Sequence, residues 1–357
     1  MVECEDSAKN AQPSEEPVIR FPNHEVKLRI SEQQIADGCQ ANPNHFIENR
    51  LIKVSVVLDE PHSPVVLQHE YLEKQKAMKK ILVPCDFSAT AKEAFKFAVN
   101  IAEKNKSEIF VLHVVDSSFG NGGVSDLSHV TAFNGVFMQK LEEQLNGKFN
   151  DMKLEHAPAS SKVTFKIQIG QLTQAIESHI LDKKIDLVVM GTHGASGLKE
   201  FFVGSNTEKI VRYSKVPVVA VPLGSQFDSI EDIVFPVVPR LQDADFIHEV
   251  KAIQNLYEAR LQILWINTPH VFKSDTDALE DLQEFAEHHH FHNYKLNIRS
   301  DYSEQEGIMR FARDIKAGLL FMPTRSRKGL VHWLTGSITE NVVNHIQCPV
   351  WTYSMGS

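Results

Sequence analysis

The chain has 357 residues, 42% of them hydrophobic and 23% charged, with a formal net charge of -9. This is length for roughly two domains with an ordinary core, and the acidic balance argues against a nucleic-acid binder, whose footprint is basic. The longest apolar runs, such as VPVVAVPL at 216–223, are too short to cross a bilayer, the start is acidic and polar, and the four cysteines show no CxxC spacing; a reduced, cytoplasmic protein with neither membrane nor nucleic-acid partners is expected.

In chain order, residues 1–77 stand apart. The first 17 are rich in Glu, Ser and Pro and are expected to be disordered, and VKLRI and LIKVSVVL are candidate short strands. Met78 precedes a basic dipeptide that enters an apolar run, the natural start of a domain. The upstream part is either a genuine appendage or lies ahead of a true start at Met78. From there strands and helices alternate. KILVPC reads as a strand, and SATAKEAFKFAVNIAEK as a helix with apolar residues at Ala91, Ala94, Phe95, Ala98, Ile101 and Ala102 and a cap at Ser88. EIFVLHVV (108–115), KVTFKIQI (162–169) and IDLVVM (185–190) are strands, LTQAIESHILDK is a helix, and a helix over 205–214 precedes a last strand, VPVVAVP. The stretch 116–135 reads as a long Gly/Ser-rich loop suited to a lid.

After a linker at 223–229 the pattern starts again: DIVFPV, a helix over 243–258, LQILWINT, a helix over 275–288, YKLNIRS, a helix near 303–315, GLLFMPT, a loop, a helix over 337–346 and PVWTY. Pro84 and Pro236 are 152 apart, and Met190/Met322, Gly204/Gly336, Ser205/Ser337, Thr207/Thr339 and Pro217/Pro349 are each 132 apart. The chain is therefore an internal repeat whose first copy carries 20 more residues after its second strand. Apolar strands separated by helices predict two tandem α/β, Rossmann-like domains, 78–223 and 224–357, each a parallel sheet covered on both faces by right-handed crossovers.

In the first copy, GTHGASGLKEFFVGS (191–205) follows the strand ending at Met190 and leads into a helix. In an open parallel sheet that places it at the carboxyl ends of the strands, where ligands bind. The unpaired N–H groups and the dipole of a helix N-terminus favour an anion, and glycines let backbone N–H groups approach it. Ser205 and Thr207 add hydroxyls. A solvent-exposed loop needing positive φ is the alternative. Asp86, just past a strand end, can accept from ribose hydroxyls or cap the following helix beside Ser88.

MGTHGASGLKEFFVGSNTEKIVRYSKVPVVAVP fits G-x2-G-x9-G-[ST], and with KKILVPCDFSATAKEAFKFA and LHVVD it resembles the nucleotide-binding branch of the universal stress protein family, over about 79–222 and 231–353. The resemblance implies five-stranded parallel sheets of the adenine nucleotide alpha hydrolase-like type. It implies ATP, or AMP or ADP, held with magnesium. By the same resemblance Asp86 contacts ribose or adenine, Val114 lies against the adenine edge, and Gly191, Gly194, Gly204 and Ser205 line the phosphates. Pro84, Met190, His193, Asn206 and Thr207 complete the candidate nucleotide-binding set. It further implies that the two halves pair through their last strands as a pseudo-dimer, and the chain as a homodimer, with an unidentified protein partner. The second copy departs from the pattern, with Pro323, Ser326 and Val238 where Gly191, Gly194 and Asp86 stand. It is expected to be a structural repeat without ATP, its Arg325, Arg327 and Lys328 a solvated loop or a site for another anion.

Other chemistries have weaker support. No GxxxxGK[ST] and no early GxGxxG is present. His193 in the glycine loop either assists phosphoryl chemistry or points outward, and no carboxylate partner for it is visible. His288–His292 has metal-ligand chemistry, but consecutive histidines at a helix end fan apart. Cys85 is either a buried strand residue or an oxidation sensor. Three functions remain open: a nucleotide-binding stress regulator, a slow ATPase or self-phosphorylating enzyme using the same pocket, and an interaction protein without nucleotide.

Overall fold

The computed structural model describes residues 18–21, 24–27, 78–116, 127–192, 205–237, 244–325, 339, 342–343 and 345–354. The chain divides into two compact units, Met1–Lys76 and Ala77–Ser357. In the first unit β1 (Val18–Phe21) and β2 (His24–Lys27) form an antiparallel pair, Phe21 opposite His24. This hairpin overlaps only the first residues of VKLRI. LIKVSVVL and the first 17 residues lie outside the described residues.

The second unit is built on ten strands in one sheet, in the order β10-β9-β8-β11-β12-β7-β6-β3-β4-β5. The first half contributes β3 (Lys80–Pro84), α1 (Ala89–Asn105), β4 (Glu108–Val115), α2 (Leu127–His156), β5 (Val163–Ile169), α3 (Leu172–Lys183), β6 (Leu187–Gly191), α4 (Ser205–Tyr213) and β7 (Val218–Val221). The second half repeats this with β8 (Asp232–Pro236), α5 (Ala244–Tyr257), β9 (Arg260–Asn267), α6 (Asp275–His288), β10 (Tyr294–Ser300), α7 (Glu304–Asp314), β11 (Leu319–Arg325) and β12 (Val350–Ser354). Each half is a five-stranded parallel sheet, its first strand flanked by its second and fourth. The two are joined antiparallel through their last strands, with Trp351 opposite Val219 and the Thr352 hydroxyl donating to the Val218 carbonyl at 2.9 Å.

The strands form because they are apolar on both faces, as a sheet covered twice requires. Ile81, Leu82 and Val83 are fully buried. Val83 and Val189 belong to the core under α1 and α2, whereas Leu82 and Val188 belong to the core under α3 and α4. The first core runs without a break into the second half through Phe97, whose ring meets Phe227 edge-on at 5.1 Å. Across the same junction the Tyr257 hydroxyl donates to Asn100 at 3.0 Å.

Much of the extra length of the first half lies in a helix. α2 starts at Leu127, inside the stretch expected to be a loop, and is 30 residues long against 14 for α6. Gly, Ser and Asn around its start mask it in sequence. Its signal is the buried stripe Leu145, Phe149 and Met152, at spacings of four and three.

Candidate functional site

The carboxyl edge of the first half is shaped by a short turn. After β3, the Cys85 N–H extends the ladder to Leu112 at 2.9 Å. The chain then turns through Phe87 at φ 62°, a conformation a bulky L-residue holds only under packing constraint. The Phe87 ring stacks on His113 with centroids 5.4 Å apart and meets Phe165 edge-on at 6.0 Å. The His113 Nδ1 lies 2.7 Å from the Cys85 carbonyl, which can only accept, so this nitrogen carries the proton. The turn carries Asp86 to the exposed edge, where its Oδ1 accepts the Ser88 N–H at 3.0 Å. Ser88 in turn caps α1, accepting from the Ala91 N–H at 3.2 Å. The capping role therefore belongs to Ser88, and Asp86 braces the cap from outside.

β6 ends beside this turn, because β3 pairs with both β4 and β6 and forms the switch point of the half-sheet. Gly191 closes β6, and a Cβ there would lie 2.7 Å from the Thr90 carbonyl. The first turn of α1 thus packs directly on its backbone, so this glycine has a packing reason in addition to any ligand. The buried Thr207, in the first turn of α4, donates its hydroxyl to the Gly191 carbonyl at 2.9 Å. The bond recurs in the second half, where the Thr339 hydroxyl donates to the Pro323 carbonyl at 2.8 Å.

Of the sequence-predicted residues, Asp86, Gly191 and the start of α4 meet at this edge. Pro84 and Met190 are buried at the strand ends, Val114 is half-buried against the core beneath α3 and α4, and Asn206 is exposed on the first turn of α4. Ser205 is described by its backbone alone as the first residue of α4, and His193, Gly194 and Gly204 lie outside the described residues. Sequence reasoning missed Thr90, Phe87 and His113, whose contribution is to the turn rather than to any motif.

The other candidates resolve into structural roles. Cys85 is 4% exposed, with its sulfur 4.0 Å from that of Met152, and burial pushes its thiol up to about 12. A thiol held protonated in this way is a poor nucleophile at neutral pH. The histidine run ends α6: His289 packs on Phe285, and His292 bonds Asn255 at 3.0 Å. Among the described residues no group of three or more His, Cys, Asp or Glu is placed to hold a metal ion, and no described helix is long and apolar enough to cross a membrane.

In the second half the sequence puts Val238 and Pro239, outside the described residues, where Asp86 and Phe87 stand. Proline is locked near φ -65° and cannot take the positive φ on which the first turn depends. The ladder of β11 also shifts register between Pro323 and Arg325, whereas β6 runs evenly to Gly191.

Two parallel α/β half-sheets joined antiparallel through their last strands define a tandem protein of the Rossmann-like α/β class. The model of the universal stress protein family matches residues 78–222 and 250–354, and the chain belongs to that family. It is 32% identical over 154 residues to universal stress protein MJ0577 of Methanocaldococcus jannaschii, covering 40% of this chain and 94% of the relative. Similarity to universal stress protein Slr1230 of Synechocystis extends over 291 residues at 22% identity, covering 77% of this chain and all 100% of the relative. A solved universal stress protein from Archaeoglobus fulgidus shares the fold with a TM-score of 0.56 at 20% identity, over 78% of this chain and 97% of its own.

Proposed function

We propose that the chain is a stress-response regulator whose first half, residues 78–223, binds an adenine nucleotide, and whose second half, 224–357, is a scaffold or partner-binding repeat. The observation that carries this reading is the asymmetry at the switch points. In the first half Asp86, Gly191 and the N-terminus of α4 stand at one strand-end edge. The second half keeps the threonine clamp but has neither the carboxylate nor the first two loop glycines. Exposed Asp86 suits the ribose hydroxyls or the adenine, and the unpaired N–H groups opening α4 suit the phosphates. ATP is the nucleotide this chemistry favours. Magnesium, in this reading, is held by the phosphates and water rather than by a protein cage, as is usual for that ion. A cytoplasmic location and a homodimer belong to the same proposal.

Isothermal titration of the full chain with ATP and with AMP tests it. Saturable binding at one site, lost in Gly194→Asp and weakened in Asp86→Ala, is the expected result. Two equivalent sites would overturn the assignment of the second half. No heat and no thermal shift with either nucleotide would leave an interaction protein without nucleotide.

A further inference from the structure

A groove of about 360 Å³ opens on the helical face of the first half, between α3 and α4. This is the low end of the roughly 300–1,000 Å³ range of small-molecule sites. Its floor is aliphatic: Ile176, Ile180 and Ile210 are 9% exposed or less, and all three belong to the core beneath these helices. Its rim carries Tyr213, 55% exposed, and two exposed lysines, Lys209 and Lys215. Neither lysine is ion-paired among the described residues. Glu177 is the one carboxylate among the lining residues.

The second half supplies an internal control. At the offset of 132, Asn341 and Gln347 stand where the two lysines are, and Met309 and Ile346 where Glu177 and Ser214 are. Met309 and Ile346 pack against the core of that half. The repeat of the same scaffold thus has apolar side chains at these two wall positions and lacks both cations. The pair of lysines is thus a property of the first half's sequence, in a chain whose net charge is -9.

We propose that this groove binds a small amphipathic acid: a medium-length apolar body seated on the isoleucine floor, with one anionic head held by Lys209 and Lys215. Apolar burial supplies the attraction, and the paired ammonium groups select the acid over a neutral chain of the same length. The site is separate from the strand-end edge, although α4 borders both through Thr207 and Ile210.

Saturation-transfer NMR on the full chain, with octanoate as probe and saturating ATP present, tests the proposal. Octanoate should receive saturation from the protein. Its dissociation constant should rise about fivefold in the double variant Lys209→Gln/Lys215→Gln, the scale expected for two surface ion pairs. It should stay within about twofold of wild type in Lys209→Arg/Lys215→Arg, which keeps the charge. The neutral 1-octanol should bind wild type and both variants alike. Both positions are exposed, and an unchanged melting temperature confirms that the fold is intact. No transfer to octanoate, or equal affinity in the Gln double variant, overturns the proposal. So does lysine-dependent binding of an acidic leucine-bearing helical peptide without octanoate binding, which would make the groove a protein-docking surface. None of these readouts depends on whether ATP binds.

Discussion

The Thr207 hydroxyl donates a 2.9 Å hydrogen bond to the carbonyl of Gly191, tying the first turn of α4 to the end of β6. The elements on either side of the glycine-rich sequence are thereby fixed to each other. Thr207→Val removes the donor while keeping the shape, and should lower stability by about 1 kcal/mol in urea unfolding, the net worth of a buried neutral hydrogen bond. Thr339→Val should cost a similar amount, because the second half makes the same bond to Pro323 at 2.8 Å. The two should part in titration with ATP. Only Thr207→Val should weaken binding, and equal effects on affinity would contradict the assignment of the site to the first half.

Gly191 separates packing from ligand chemistry. A Cβ at this position would sit 2.7 Å from the Thr90 carbonyl, which is backbone and cannot rotate away. Gly191→Ala should therefore destabilise the apo protein by roughly 1–3 kcal/mol, the usual cost of overpacking. The measurement is the urea midpoint without nucleotide. A neutral substitution there would mean that the glycine serves only an absent ligand.

The repeat and the order of the strands were legible in the residues, because a run of identities at one offset survives without knowledge of contacts. The junction was not. β7 is apolar on both faces and β12 is buried over Val350–Thr352, a pattern equally suited to a central strand or to an edge covered by another chain, and their pairing rested on family resemblance alone. α2 was hidden where Gly, Ser and Asn surround the start of a helix whose described side chains bury a thin stripe. At the candidate site the motif residues were visible, but the supports were not. Nothing in the residue type of Phe87 signals a positive φ, and nothing in His113 signals that it bonds the carbonyl of Cys85. These contacts join separate strands, so local pattern carries no trace of them.

Phe87 makes that point testable. At φ 62° glycine is more comfortable than alanine by about 1 kcal/mol, whereas at an ordinary position alanine is preferred. Both Phe87→Gly and Phe87→Ala lose the stack on His113, so their difference isolates the backbone. Phe87→Gly should melt higher than Phe87→Ala. The opposite order would show that the turn relaxes to negative φ once the ring is gone.

Lys251 gives a pH dependence of definite sign. It is 6% exposed on α5, its ammonium 5.3 Å from the Phe291 ring centroid, and burial pushes its pKa down from 10.5 to about 8. The first half has Val99 at the corresponding place. Unfolding restores the ordinary value, so above pH 8 the unfolded chain holds more protons than the folded one and stability rises with pH. For one group the slope is at most about 1.4 kcal/mol per pH unit, and residual solvent around the ammonium lowers it. Cys85 and Cys348 act in the opposite sense above pH 9, since burial pushes both thiols up to about 12 and they ionise only on unfolding. The lysine contribution is therefore cleanest between pH 8 and 9. Lys251→Met replaces the cation with an apolar chain of similar length and should be more stable than wild type at pH 7, with the gap narrowing as the pH is raised through that window. Urea unfolding of both proteins at half-unit steps reads the gap directly. A gap that stays constant would show that Lys251 keeps an ordinary pKa in the folded state.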